Sequence, residues 1–134
     1  MAIFLTSSPT GPLDNSRKVD GLDKMNHFVD QLKKYWKDNS KCCIIAASPN
    51  DYDENDEMCN FFKEVFFKEN LSIEYLNLID ERYSNFTKDD LMNYDVILLG
   101  GGHVPTQNKF FKEIRLREKI KDFDGIIIAI SAGS

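Results

Sequence analysis

Apolar positions along the chain fall into two alternating kinds of segment. "AIFLT", "CCIIAAS", "YDVILLGGG" and "DGIIIAI" are short runs dominated by apolar residues. Such runs read as strands covered on both faces, and "LSIEYLNLI" alternates well enough for one more. Between them the period changes. Leu22, Met25, Val29, Leu32 and Trp36 recur at helical spacing, which predicts an amphipathic helix over "LDKMNHFVDQLKKYW". "DENDEMCNFFKEVFFKEN" sets Met58, Phe61, Phe62 and Val65 on one face. Its acidic residues come first, where the helix dipole favours them. "KDDLMN" predicts a short helix. "TQNKFFKEIRLREKIKDF" predicts a third sizeable one, with its phenylalanines inward and its alternating charges on an exposed face.

Strands alternating with helices of this length predict a mainly parallel sheet with helices on both faces, joined by right-handed crossovers. The expected fold is a three-layer α/β sandwich, flavodoxin-like, formed by residues 1–134 as one unit. Ligands in such sheets collect beyond the carboxyl ends of the strands, where strand order reverses. The loops to watch are therefore "SSPTGPL", "SPNDYDEND", "GGGHVPTQN" and "SAGS".

Composition narrows the partners. The net charge of −5 argues against nucleic acid, whose binding is driven by lysine and arginine neutralising phosphates. Cys42 and Cys43 are adjacent, so on a strand they point to opposite faces and stay reduced. With no export signal and no apolar run long enough for a bilayer, the expectation is a cytoplasmic protein away from membranes. "DYDENDE" lacks the glycine and terminal glutamate of a calcium loop, and reads as a solvated helix start with no metal. No cofactor is implied.

Chemistry is suggested at the end of the chain. A serine at the carboxyl end of a buried parallel strand sits on a tight turn that exposes its hydroxyl and frees the next N–H for an oxyanion. Small neighbours relieve the crowding there, and Ser131 has them in Ala129, Ala132 and Gly133. "LLGGGHVPTQN" adds a triple glycine after another buried strand, where backbone can approach a ligand closely. Its free N–H groups and that of Ala132 form an expected oxyanion hole. It is neither a dinucleotide fingerprint nor a Walker A loop.

Gly100–Asn108 together with Ile128–Ser134 resembles the peptidase E (aspartyl dipeptidase) family, relatives of class I glutamine amidotransferase domains. The resemblance implies a serine peptidase acting on small peptides, with an amino-terminal aspartate as its finer implication. Ser131 would be the nucleophile and Gly101, Gly102 and Ala132 the oxyanion hole, while His103 and Gln107 lie in the loop that faces substrate. His103 stands where the family has asparagine, and Ala129 replaces the first glycine of the usual elbow.

In that family the activating histidine and its acidic partner follow the nucleophile. The chain therefore reads as the amino-terminal portion of a larger hydrolase, inactive alone. A fifth strand at its end is expected to leave one side of the sheet uncovered, seeking the missing carboxyl-terminal segment or a homo-oligomer. His27 reads as a helix-packing or surface residue, and Cys59 as core. Lys109 and Arg115 are both placed to reach an anionic substrate. The alternatives are a non-catalytic amidotransferase-like domain and a flavodoxin-like ligand-binding module. The second rests on "SSPTGPL", but Pro12 removes a donor and the next helix starts only near Asp20.

Overall fold

The computed structural model describes residues 2–6, 28–101 and 104–130. Five strands, β1 (Ala2–Thr6), β2 (Ser40–Ile45), β3 (Ile73–Ile79), β4 (Val96–Leu99) and β5 (Ile126–Ile130), form one sheet in the order β1-β5-β4-β2-β3. Every pairing is parallel. Among the described residues, five α-helices accompany them: α1 (Phe28–Tyr35), α2 (Tyr52–Lys68), α3 (Lys88–Met92), α4 (Val104–Glu113) and α5 (Leu116–Ile120). The α/β sandwich expected from the alternation of periods is the observed fold.

Strand alternation divides the core into two layers. Cys42, Ile44, Leu98 and Ile128 pack with Leu32 of α1 and with Cys59, Phe62, Val65 and Phe66 of α2. Cys43, Ile45, Ile97 and Ile127 face the other way, onto Leu91, Phe110, Ile114 and Leu116 of α3, α4 and α5. A strand covered on both sides has no solvent face, which is why β2, β4 and β5 show no polar alternation.

Local chemistry ends the helices where the sheet needs them to end. Asn70 has φ 59°, the left-handed conformation asparagine tolerates. It closes α2 with two bonds, Leu71 N–H to the Phe66 carbonyl at 2.9 Å and Asn70 N–H to the Phe67 carbonyl at 3.2 Å. That is a Schellman closure, with Leu71 and Phe66 both in the core behind it. At α3, the Thr87 hydroxyl accepts from Asp90 N–H while the Asp90 carboxylate accepts from Thr87 N–H, a capping box. Trp36 fastens the end of α1 by donating its indole N–H to the Ser72 carbonyl at 2.9 Å, with its ring 5.1 Å from Phe66.

Three expectations change. The α2 face is turned from the one read in sequence: Phe66 is fully buried and Met58 and Phe61 only partly, while Phe67 is 84% exposed. The helix expected across "TQNKFFKEIRLREKIKDF" is two helices. Arg115, at φ 53°, breaks it, and the break turns both Ile114 and Leu116 into the core, which one continuous helix would not do. Finally, β5 is not an edge. It lies between β4 and β1, and the two edges are β1 and β3.

Gly125 admits no side chain, because a Cβ there would lie 2.3 Å from the Asp95 carbonyl oxygen. That carbonyl accepts the Ile126 N–H at 2.9 Å, locking the entry to β5 against β4.

All three cysteines are free and buried, with Cys42 and Cys43 in opposite layers. Burial pushes the Cys42 thiol up to about 12 and raises Cys43 and Cys59 as well. The thiolate is the reactive form. Iodoacetamide at neutral pH is expected to alkylate none of the three in the native protein and all of them in urea. Mass spectrometry before and after denaturation checks this.

Candidate functional site

Strand order reverses once in this sheet. β3 lies to one side of β2, and the chain then crosses back to place β4 on the other side. The crevice where such sheets take ligands therefore opens between the carboxyl ends of β2 and β4. A cleft of about 930 Å³ is found there. One wall comes from the loops after β2 and β3, with Ser48, Asp51 and Glu81; the other comes from α4 and α5, with Thr106, Lys109 and Lys119.

The first wall is held by a buried carboxylate. Asp80 follows the last residue of β3 and has no exposed surface. Its Oδ1 accepts from the Arg82 backbone N–H at 2.9 Å, and its Oδ2 accepts from Arg82 Nη2 at 2.7 Å and from Asn55 Nδ2 at 3.2 Å. Asn55 Nδ2 also donates to the Ser48 carbonyl at 2.9 Å, so the network clasps the loop after β2. Glu81 N–H to the Pro49 carbonyl, 3.1 Å, is a second tie between the same loops. Arg82 continues outward to Asp56 at 2.8 Å and stacks over the Tyr52 ring at 4.4 Å. Tyr52 in turn donates its hydroxyl to Glu81 at 3.0 Å. The expected solvated acidic helix start is thus only partly that. Asn55 is buried, Asp56 is paired, and no metal-binding cluster occurs among the described residues.

The second wall carries one of the two basic candidates. Lys109 lines the cleft, whereas Arg115 sits exposed at the helix break and does not. Lys119 faces the same cleft with its ammonium 4.3 Å from the Phe86 ring. Asp51 precedes α2 but makes no side-chain cap bond to it. Asp51 and Glu81 thus stand on one wall, and Lys109, Lys119 and Glu113 on the other, so the second wall carries both signs with lysine in excess.

The glycine loop begins beside this cleft. Leu99 of β4 pairs with Ala129 of β5, so the two strands end at the same level. Gly100 N–H donates to the Ile45 carbonyl at 2.8 Å, which removes it from the amides free for a ligand. A Cβ on Gly100 would stand 3.1 Å from that same carbonyl, so the close approach of backbone explains the glycine. Gln107, expected to meet substrate, instead donates its amide to the Gly100 carbonyl at 2.6 Å and clamps the loop from α4. Gly101 is half-buried at the start of the loop. Gly102, His103, Ser131 and Ala132 lie outside the described residues, as do His27 and the "SSPTGPL" loop.

Sequence reading missed the Asp80–Arg82–Asn55 network. One signal was present: an acidic residue directly after a buried strand, two positions before an arginine, in a loop flanking the switch point.

Burial alone would push the Asp80 carboxyl up, but hydrogen bonds from Arg82 and Asn55 and the guanidinium charge outweigh it. The net displacement is below the ordinary 3.8. A depressed folded-state value means the stabilisation is complete above pH 3.8 and lost as pH falls through the lower folded-state value. Asp80→Ala is expected to lower stability by about 3 kcal/mol at neutral pH. The gap to the unaltered chain should narrow below pH 3.8. Urea unfolding of both chains across that range measures it, and a gap that widens in acid would contradict the assignment.

Comparison with models of known protein families, with curated proteins and with solved structures finds no match for this chain. Among the described residues, no helix is long and apolar enough to cross a membrane.

Proposed function

We propose that this chain carries the nucleophile of a serine hydrolase of the peptidase E type, acting on small peptides. The supporting observation is the register of β4 and β5. Leu99 lies opposite Ala129, so Gly100 and Ile130 stand at the carboxyl ends of adjacent strands. Neighbouring strands are about 4.8 Å apart, within reach of one scissile carbonyl and its oxyanion.

In this reading the Ser131 hydroxyl gives its proton to a general base as its oxygen attacks the peptide carbonyl. The carbonyl oxygen becomes an anion held by the amides of Gly101, Gly102 and Ala132. Collapse expels the amine, protonated by the same base, and leaves an acyl-enzyme that water then releases. Each amide donor contributes about 3 kcal/mol to the transition state. Gln107 would act as a positioning residue, holding the Gly100 carbonyl so that the following amides keep their direction. Histidine is the usual base, and neither His27 nor His103 is among the described residues. No residue of this chain is assigned that role. His103 is read as a loop contact to substrate.

The mixed charge of the neighbouring cleft suits a small zwitterion. A free carboxylate would meet Lys109 and Lys119, and a free ammonium would meet Asp51 and Glu81. An amino-terminal aspartate is the finer proposal and rests on the family resemblance alone.

The test uses the full-length protein with a fluorophosphonate probe and a panel of free and end-blocked dipeptides. The expected result is labelling of Ser131 and hydrolysis of free dipeptides. Ser131→Ala should abolish labelling and reduce turnover by about 10⁴–10⁶. Lys109→Ala should raise KM by about tenfold with kcat little changed, as for an interaction equal in ground and transition states. A protein that binds dipeptides but neither labels nor turns over would be a binding module, and the hydrolase reading would fall.

A further inference from the structure

Among the described residues, β3 is paired on one side only, and no strand lies along its other side. In a parallel ladder, alternate residues direct both backbone groups to the same neighbour. The Ala46 N–H donates to the Ile79 carbonyl, so Tyr75, Asn77 and Ile79 serve β2, and the groups of Glu74, Leu76 and Leu78 point outward. The Leu76 carbonyl takes only a weak donor, Cys59 Sγ at 3.6 Å. A groove of about 800 Å³ runs along this edge, between Asn60 and Lys63 of α2 and the Asn93–Tyr94 turn. Natural edges are usually blunted by lysine, proline or a cover. β3 reads IEYLNLI, with no lysine or proline and a single charge.

Charge says what fits the groove. Asp56, already bonded to Arg82 at 2.8 Å but with half of its side chain still exposed, and Lys63 line the same wall, three residues before and four residues after Cys59. Along a helix that is about 4.5 Å to one side and 6 Å to the other. The charges of both act on the Cys59 thiol, which itself touches Leu76. Leu76 thus lies beside the stretch of α2 that has a negative side chain on one side and a positive one on the other. A twofold axis at Leu76 would exchange them.

We propose that the β3 edge is a self-association surface, on which a second copy of this chain pairs β3 to β3 antiparallel about Leu76. Each Lys63 then meets the partner's Asp56, and Tyr75 lies across from the partner's Asn77. The two sheets join into one of ten strands, and the outward groups of Glu74, Leu76 and Leu78 find partners. An isologous contact of this kind closes on itself and stops at two copies. Tyr75 and Tyr83, exposed at 37% and 60%, supply the aromatic surface such contacts favour.

The experiment is sedimentation velocity across a wide concentration range, with hydrogen exchange read at the β3 amides. Expected is a monomer–dimer equilibrium in which protection of the Glu74, Leu76 and Leu78 amides rises with concentration. Lys63→Glu and Asp56→Lys, each alone, bring like charges together and should weaken dimerisation by about a hundredfold. Mixing the two variants restores opposite charges at both contacts, so a heterodimer should form where neither variant pairs with itself. A monomer at every concentration would overturn the proposal. So would a dimer indifferent to both reversals, or β3 protection independent of concentration, which would mean that a segment of the same chain covers the edge.

Discussion

Two-sided burial of the central strands is the constraint on which the rest of the molecule depends. β2, β4 and β5 have no face to spare for water, so every crossover must return a helix to cover them. Cys42 and Cys43, or Ile44 and Ile45, serve opposite layers from adjacent positions, and a slip of one residue would exchange the two cores. The same constraint sends the loops after β2, β3 and β4 to one end. Parallel strands share their carboxyl ends, and only there can backbone and polar side chains emerge without being buried under a helix.

Asp80 shows how that end is kept in shape. A carboxylate with no exposed surface is costly unless its lone pairs are filled, and Arg82 and Asn55 fill them. Because Asn55 also holds the Ser48 carbonyl, the carboxylate couples the end of β3 to the loop after β2 across the mouth of the cleft. Gln107 does the corresponding work at β4, binding the Gly100 carbonyl from α4. The cleft and the glycine loop are therefore both braced by side chains that are occupied with backbone and with each other. The charged groups that remain turned to the cleft are those of Asp51, Lys109, Glu113 and Lys119, with Glu81 partly engaged by Tyr52.

Much of this was legible in the order of residues because burial imposes periodicity. The strands and the amphipathic core helices follow from which positions avoid water, and from nothing more distant than the next turn of chain. The isolation of Cys42 from Cys43 follows from the period of two. Helix interruptions and exact faces were less legible. Arg115 carries no mark of a break, since arginine is a good helix former; the break exists because Ile114 and Leu116 both have places in the core. Phe66 and Phe67 look alike in sequence, yet one is at the centre of the molecule and the other in water.

Local order alone was enough for the α/β class and the five strands, because each depends on a short stretch meeting or avoiding solvent. Which strand neighbours which depended on the assembled sheet. β5 lies inside and β1 takes the edge because a late strand can be covered by an early one, a pairing across the whole length of the chain. The spent amide of Gly100 and the clasp of Asp80 with Asn55 are contacts of the same sort. Each joins groups brought together only when separate strands have been stacked in register, and no spacing along the chain encodes that meeting.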